Sequence, residues 1–592
     1  MNNAIEKAKK FLNEEKAFRL GNLLTESFHP GTRALSETAL SDLPAAVRLL
    51  QSVDQEIPPA MEKLFQQDVF HQLIDAFAGA LCSNKRIYFT GCGATGRLSI
   101  LLEAAYRCFW QQLSENHPDI SANVPDMEDR AFGIMAGGDF ALIKSVEGFE
   151  DFPDFGRYQL KQAGVRPGDI VVAVTEGGET PFVIGTAWHG LDAGANVFFV
   201  YNNPTDLLRT HVQRSREIID HPGVKKLDLT TGPMAITGST RMQAVTAELL
   251  AVGAALEMAV VKFLQQNLPL PQLSTLGLCI HPPEDYPRLF AELLTQLSSP
   301  ANVNAMADVV EFEEDIYRRH GLVTYIADAF LPDVLTDTTE RSPTFMVPPF
   351  RKSDDHLSPR SWAFVKDPFH PTPHTWQHLL RRRPRGLQWT AETYKRLNAP
   401  LPLQTQPPRL DNGEIFKFQI GSEPDPSRTD APDSALVVIG AADEIEHLSG
   451  AARQTFGSEY KKTAVMVFGP QAHPRTDKLF HFRCDLPASP LQLWRHLAIK
   501  LVLNTISTAT MVRMGRVVGN AMAWLSPSNK KLIDRGSRLI SELTGCAYEQ
   551  ACIALFEAMD EIESRKSRAE EVPSPVALAI ESIRSAAHKT SL

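Results

Sequence analysis

The stretch that decides the fold is RIYFTGCGATGRLSI, residues 86–100. Its first part is rich in β-branched and aromatic residues and predicts a strand, and its last part predicts an amphipathic helix. Between them, glycines in the loop 91–96 let a ligand approach the backbone, and free N–H groups at the helix start carry partial positive charge. The stretch therefore predicts a βα unit with an anion site, and a phosphate is the expected guest.

The loop by itself leaves other interpretations open. Gly-Cys-Gly-Ala-Thr-Gly, residues 91–96, has the spacing of a dinucleotide fingerprint, and a simple tight strand-to-helix turn would have the same residues. A Walker A loop is excluded because the loop contains no lysine and no Gly-Lys-Ser/Thr ending. The decision between a phosphate site and these alternatives depends on the rest of the chain.

Bulk composition indicates a large globular protein. The chain has 592 residues, of which 43% are hydrophobic and 22% are charged, which is enough for about three to five domains. A net charge of −10 argues against a general nucleic-acid binder, so no nucleic-acid partner is expected. The basic run 381–385 is the local exception, and we interpret it as a solvated loop or a subunit contact.

Cysteine and histidine spacing indicates neither a metal site nor a disulfide framework. The seven cysteines form no Cys-x-x-Cys pair, and the 17 histidines show no His-Glu-x-x-His motif. We therefore expect no metal and no cofactor. The first residues lack the apolar core of a signal peptide, and no apolar run is long enough to cross a membrane. A cytoplasmic location without a membrane partner is the expectation.

Hydrophobic periodicity predicts two α/β regions followed by helices. The first region has predicted strands at 86–90, 132–136, 169–174 and 196–201, and a long helix at about 239–266. The second has predicted strands at 323–327, 415–420, 435–439 and 464–468. Apolar strands between helices indicate parallel sheets that are covered on both faces. The predicted domains are an N-terminal helical segment (1–50), a first α/β domain (51–270), a degenerate second copy (271–490) and a helical cap (491–592).

Polar segments follow several predicted strands of the first region, at 136–151, 174–181 and 232–242. Because parallel strands end at one edge of a sheet, these segments should form a crevice together with the loop 91–96. The hydroxyl residues could instead simply cap their helices, since caps use the same N–H groups. The predicted phosphate contacts are Gly93, Ala94, Thr95, Gly96, Thr175, Gly177, Ser239 and Thr240.

With these motifs the chain resembles the sugar isomerase (SIS) domain superfamily. Within it, the chain is similar to the branch shared by bacterial N-acetylmuramic acid 6-phosphate etherase and animal glucokinase regulatory protein. The matching motifs lie at 91–98, 136–151, 238–243, 500–508 and 529–535. About 220 residues separate two blocks that are nearly contiguous in the etherase. The resemblance implies the regulatory protein's plan: two SIS domains, each a flavodoxin-like αβα sandwich with a parallel sheet, and an all-helical cap.

The resemblance also implies the chemistry of the site. The etherase uses two glutamates as acid and base; the second maps to Glu150 and the first falls on Ala105. Glu103 is close, but two residues on a helix point about 200° apart. Loss of one acid/base partner costs about 10²–10⁴ in rate, so the pattern fits a binding and regulatory protein better than an etherase. The implied sugar contacts are Glu147, Glu150, Asn529, Lys531 and Arg535, with Glu150 catalytic only if the protein is an enzyme.

Alternatives remain for function and for single residues. An etherase-type lyase is one, and an aldose–ketose isomerase with Glu147 or Glu150 as base is another. Glu147 and Glu150 could instead form surface ion pairs, and Lys531 and Arg535 a solvated basic face. The polar run 336–344 is interpreted as a solvated loop, and an added contact to the ligand is the alternative.

The expected partner is a small phosphorylated hexose or amino sugar. The resemblance implies a hexose kinase as a further partner, and a homo-oligomer stays open. Glu176 and Glu179 depart from the family pattern, in which this loop carries small or hydroxyl residues, and like charges repel beside a phosphate. Either they face away, or they reach sugar hydroxyls, or this loop does not contact the phosphate.

Overall fold

Two parallel five-stranded sheets form the body of the chain in the computed structural model, which describes residues 2–146, 148–279, 281–457, 459–471, 478–566 and 573–590. The first sheet contains β1–β5, at Ile87–Gly91, Ala131–Met135, Ile170–Thr175, Asn196–Tyr201 and Val224–Asp228. The second contains β6–β10, at Val323–Ile326, Ala363–Lys366, Ala435–Ala441, Lys462–Phe468 and Leu479–Phe482.

The two sheets have the same topology. The first has the order β2-β1-β3-β4-β5, and the second has the order β10-β9-β8-β6-β7, which is the same order read from the other edge. All pairings are parallel. In this flavodoxin-like order, successive strands are added toward one edge of the sheet and then toward the other, and the switch lies between β1 and β3. Ligands bind at this switch point in such sheets. The prediction of two α/β copies with a helical cap is confirmed.

Helices cover both faces of the sheets. The N-terminal segment and the first region contain α1–α13, at Asn2–Glu14, Leu35–Ser41, Leu43–Asp54, Ile57–Phe65, Asp68–Cys82, Ala94–Asn116, Pro118–Ser121, Phe140–Ile143, Pro153–Gln162, Pro181–Asp192, Thr205–His211, Gln213–Ile219 and Gln243–Asn267. The second region contains α14–α23, at Leu270–Leu276, Asp285–Leu297, Pro300–Arg318, Leu331–Phe345, Thr372–Leu380, Ala391–Arg396, Leu401–Thr405, Asn412–Ile415, Pro426–Thr429 and Ile445–Phe456. The cap contains α24–α27, at Leu493–Arg513, Lys530–Thr544, Tyr548–Lys566 and Pro575–Thr590. Short 3₁₀ turns lie at Lys16–Phe18, Leu24–Glu26, Pro30–Thr32 and Glu128–Arg130.

Two predictions about elements were wrong, and three strands were not predicted. The segment 415–420 is not a strand, because the side chain of Asp411 accepts the N–H groups of Gly413 and Glu414 and starts α21 instead. Its alternating apolar residues are buried as a loop. The helix α13 begins at Gln243, so Ser239 and Thr240 lie in the turn before it. The strands β5, β7 and β10 were missed.

Within the described residues, one helix is long and apolar enough to span a membrane, so the expectation that no apolar run reaches this length is wrong. This helix is α13, and 94% of its most apolar window is buried inside the protein. Burial on all sides is typical of a central core helix as well as of a membrane span. The cap helix α24 packs against α13 and against α16 and α17 of the second region, so the cap joins both α/β regions.

The basic run 381–385 is an internal clamp. The guanidinium of Arg382 donates to Glu103 at 2.9 and 3.0 Å and to Asp139 at 2.5 Å. Arg385 also donates to Glu103, at 3.1 Å. The interpretation as a solvated loop is therefore wrong, because these arginines reach from the second region into buried carboxylates of the first.

Candidate functional site

The turn from β1 into α6 is built to receive an anion. Gly93 has φ +57°, a conformation that favours glycine, and stands at the N-cap position of α6. No side chain caps this helix, so its first N–H groups are left for a ligand. They border a cavity of about 210 Å³ at the carboxyl edge of the first sheet. We call it the site cavity.

The site cavity brings together most of the predicted residues. Of the phosphate contacts, Gly93, Ala94, Ser239 and Thr240 line it, and of the sugar contacts, Glu150, Asn529, Lys531 and Arg535 line it. Thr95, Gly96, Thr175 and Gly177 do not line it. Glu147 lies outside the described residues. The site assignments as ligand contacts stay predictions.

Internal bonds hold the hydroxyls that do not line the cavity. The Thr95 hydroxyl donates to the Cys92 carbonyl and accepts the Cys92 N–H, both at 3.0 Å. It therefore closes the loop on itself. Thr175 is fully buried and donates its hydroxyl to Thr180 at 3.0 Å. These two residues shape the loops without capping the helices that follow them, because no side chain accepts an N–H group at the start of α6 or α10.

Glu150 meets the cap directly. The Lys531 ammonium lies 3.2 Å from its Oε1, and the Asn529 side-chain amide donates to its Oε2 at 3.3 Å. Asn529 also caps α25, because its Oδ1 accepts the Leu532 N–H at 2.9 Å. The first residues of α25 are thereby fixed over the site, as the motif at 529–535 predicts.

Glu179 does not line the site cavity. Its side chain is 1% exposed and lies 2.9 Å from the Lys531 ammonium, and Arg214 pairs with it from the other side. Burial would raise the pKa of Glu179, but Lys531 and Arg214 outweigh it and lower the pKa. Its departure from the family pattern therefore serves to anchor Lys531.

Arg535 is held beside the cavity by a buried ion pair. It donates to Glu26 through Nε at 2.9 Å and through Nη2 at 2.6 Å. Burial alone would raise the pKa of Glu26, but Arg535 and Arg538 hold it well below its usual range. Gly238, with φ +76°, makes room for Arg535, since a Cβ there would lie 2.4 Å from its Nε.

Arg241 lines the cavity and was not among the predicted phosphate and sugar contacts. Its guanidinium donates to Asp337 of α17 at 3.1 Å and to Ser507 and Thr508 of α24 at 2.8 and 2.9 Å. Its Nε is buried and has no hydrogen-bond partner within the described ranges. A buried donor without an acceptor is costly, so this nitrogen suits an anionic ligand. The signal was present, because Arg241 belongs to the quoted motif 238–243.

The second α/β region contributes one wall. Residues 336–344 belong to the buried helix α17, so their interpretation as a solvated loop is wrong. Glu340 lines the cavity, and its Oε1 lies 3.8 Å from Arg97 of α6. The Arg97 Nε also donates to Thr339 at 3.1 Å. The run therefore lies at the cavity, as its alternative interpretation has it, and the Arg97–Glu340 ion pair joins α17 to α6 there.

Two further carboxyl groups in the cavity wall have a pKa above the usual range for glutamate. Burial raises the pKa of Glu176 to about 7, although Lys531 opposes the shift. Burial likewise raises the pKa of Glu340, against the opposing charge of Arg97. Glu150 lies in the same cavity and is paired with Lys531. Carboxyl groups in contrasting environments are the arrangement that acid–base chemistry uses.

Glu103 is absent from the cavity lining, as the helix geometry predicts. It is bound by Arg107, Arg382 and Arg385 and accepts the Gly133 N–H at 3.0 Å. Burial would raise its pKa, but Arg382 and its neighbours lower the pKa of Glu103 to about 2. Ala105 does not line the cavity either.

Comparisons with known proteins agree with these motifs. The model of the glucokinase regulatory protein N-terminal SIS domain matches residues 71–189. The N-acetylmuramic acid 6-phosphate etherase of Salmonella agona (strain SL483) is 33% identical over 43% of this chain and 77% of its own length. The etherase of Synechococcus sp. (strain CC9902) is 32% identical over 39% of this chain, and the match spans 64% of that protein.

A solved structure is similar over most of the chain. The C-terminal domain of glucosamine-fructose-6-phosphate aminotransferase from Francisella tularensis aligns with a TM-score of 0.42 and 12% identity, covering 78% of this chain and 95% of that one. The motifs, the two sheets of shared topology and the match to the Salmonella etherase identify the family. The chain belongs to the SIS superfamily, in the branch that N-acetylmuramic acid 6-phosphate etherase shares with glucokinase regulatory protein.

Proposed function

We propose that the protein is a sugar-phosphate-binding regulatory protein that takes a phosphorylated hexose or amino sugar into the site cavity. The phosphate would lie on the free N–H groups at the start of α6 and on the hydroxyls of Ser239 and Thr240. Neither hydroxyl has a hydrogen-bond partner in the described part of the chain. Glu150 would accept hydrogen bonds from sugar hydroxyls, and Lys531 would approach from the cap.

One observation carries this proposal: three separate parts of the chain line the same cavity. The first region contributes Gly93, the helix α17 of the second region contributes Glu340, and the cap contributes Asn529 and Lys531. A ligand that contacts all three stabilises the arrangement in which they meet. Occupancy would therefore change how the cap packs, and with it the surface that the cap offers a protein partner. A hexose kinase, in the cytoplasm, is the partner that the regulatory relative suggests.

A second candidate function is an etherase-type lyase. The observation in its favour is that Glu176 and Glu340 supply protonatable carboxyl groups beside Glu150. Acid–base catalysis needs a proton donor and a proton acceptor within hydrogen-bond reach of the substrate. The alanine at 105 removes one acid/base glutamate of the etherase, but other carboxyl groups that could transfer the proton in an elimination reaction line the cavity. An aldose–ketose isomerase would need the same groups and has no observation of its own.

Titration calorimetry against four ligands tests these proposals: fructose 6-phosphate, fructose 1-phosphate, glucosamine 6-phosphate and N-acetylmuramic acid 6-phosphate. Lactate release is measured on the last. Saturable binding of a hexose phosphate without turnover supports the regulatory function. Rapid lactate release contradicts it and supports the lyase.

A Ser239→Ala variant locates the binding. It should weaken every phosphorylated ligand, whereas Ser41→Ala, at an exposed helical position, should change none. Equal affinities for the two variants would show that the phosphate lies elsewhere.

A further inference from the structure

A second polar cavity lies in the second α/β region, and it shares no lining residue with the site cavity. Its volume is about 320 Å³, and we call it the arginine cavity, after Arg351, Arg360 and Arg428 in its wall. It lies at the amino edge of the second sheet. Arg428 fixes this position, because it donates to the Val323 carbonyl at 2.8 Å and to the Thr324 hydroxyl at 2.6 Å, at the start of β6.

These arginines have no carboxylate partner. In the described ranges, no Asp or Glu oxygen lies within 4.0 Å of a guanidinium nitrogen of Arg351, Arg360 or Arg428. Most other arginines near buried acids are paired, as Arg382 is with Glu103 and Asp139. Three like charges that face one cavity repel each other, and an anion between them relieves this repulsion.

The other charged groups in the wall do not cancel this excess. Asp425 is the acidic residue there, and its Oδ1 accepts the Ser427 N–H at 3.1 Å and the Ser427 hydroxyl at 2.6 Å. Lys352 is paired with Glu414 at 2.5 Å. His356 adds a further donor, and positive charge when it is protonated.

Free donors accompany the charge. Arg351 gives one hydrogen bond, from Nη1 to the Ser358 carbonyl at 3.1 Å, and Arg360 gives one to the Ser427 carbonyl. A guanidinium has five N–H donors, so most of those on Arg351 and Arg360 are unused in the described structure. Arg428 is 2% exposed, and its donors are taken by backbone and hydroxyl oxygens. It contributes charge, and the other two contribute contacts.

We propose that the arginine cavity is a second binding site, for the phosphate group of a small molecule. Guanidinium forks match the geometry of phosphate oxygens and bind them in pairs. The cavity is independent of the sugar-phosphate function, because none of its lining residues lines the site cavity.

Titration calorimetry of the full chain with inorganic phosphate and with pyrophosphate tests the proposal. The Arg351→Gln/Arg360→Gln variant should lose one binding event, or bind at that site about tenfold more weakly. The Ser239→Ala/Thr240→Val variant should keep that event. Both arginines are partly exposed, so the double variant is expected to fold, which circular dichroism checks.

The matched control is Arg288→Gln/Arg319→Gln, which removes the same net charge from arginines that are paired with nearby carboxylates. It should leave phosphate binding unchanged. If the control lowers binding as much as the cavity variant does, the effect is general charge and the proposal fails. It also fails if the Ser239→Ala/Thr240→Val variant, in which the arginine cavity is intact, binds no phosphate. A short single-stranded RNA that binds more tightly than pyrophosphate, with the same loss in the cavity variant, would show that a nucleic acid is the occupant instead.

Discussion

Replacing Glu176 by Gln should flatten the pH dependence of sugar-phosphate binding. The Glu176 carboxyl lines the site cavity, and burial raises its pKa to about 7. The free protein is therefore about half protonated at this position at pH 7 and about one tenth protonated at pH 8. A phosphate monoester, whose second pKa is about 6, is mostly a dianion over this range. Like charges repel, so the complex should favour the protonated carboxyl.

The size of the effect follows from proton linkage. If the bound dianion keeps Glu176 protonated, affinity falls in proportion to the protonated fraction of the free protein, which is about fivefold from pH 7 to pH 8. The stability of the folded protein has the same pH dependence. Because the pKa of Glu176 is raised in the folded state, its contribution to the free energy of unfolding is lost as the pH rises through that pKa. Gln cannot ionise, so the variant should bind about equally at both pH values and more tightly than the wild type at pH 8.

Calorimetry in two buffers of different ionisation enthalpy measures both the affinity and the protons taken up. Wild type should take up protons at pH 8, and Glu176→Gln should take up fewer. Glu37→Gln, an exposed change of the same charge, is the control. Any uptake that remains is tested with Glu340→Gln, since burial also raises the pKa of Glu340. Identical pH dependence in wild type and Glu176→Gln would refute the placement of the phosphate beside this carboxyl.

Three further predictions use the same full-length protein. Lys531→Met should weaken sugar-phosphate binding about tenfold or more by removing a charged contact, whereas Lys530→Met should not, and calorimetry compares them. Gly238→Ala should lower the unfolding temperature and the affinity more than Gly545→Ala: both glycines have φ +76°, but only the first new Cβ would strike Arg535, while the second meets no atom within 4 Å. Glu103→Ala should cost about 3–5 kcal/mol in urea unfolding, because it leaves buried arginines unpaired; a loss below about 1 kcal/mol would mean that the clamp contributes little.

The sequence was a good guide to parts that depend on local order. The βα unit at 86–100 follows from a short-range pattern, since glycines and apolar periodicity act within a few residues. The strands β5, β7 and β10 were harder. The strand β5 reads Val-Lys-Lys-Leu-Asp at an edge of its sheet, and the other two have only four residues each.

Contacts between segments that are far apart in the chain could not be predicted from the sequence. Nothing local marks Glu340 or Arg382 as partners of the first region, because a helix or loop shows its polar residues in the same way whether water or another domain covers them. The Arg241 guanidinium was within a quoted motif, but its bonds to Asp337 and Ser507 arise only when α17 and α24 are placed beside it. The sequence therefore named cavity residues of the first region and the cap motif, and it gave the wall from the second region only as an alternative.

This wall bears on how a ligand could act on the cap. Arg241 joins α17 to α24 through Asp337 and Ser507, and its buried Nε still lacks an acceptor in the described structure. An anion that supplies this acceptor would strengthen the junction where both α/β regions and the cap meet. This added binding energy favours one conformation over the others, because the Arg241 bonds exist only while α17 and α24 stay together. A sugar phosphate bound at the first sheet would thus bias the position of the cap through a residue that it touches directly.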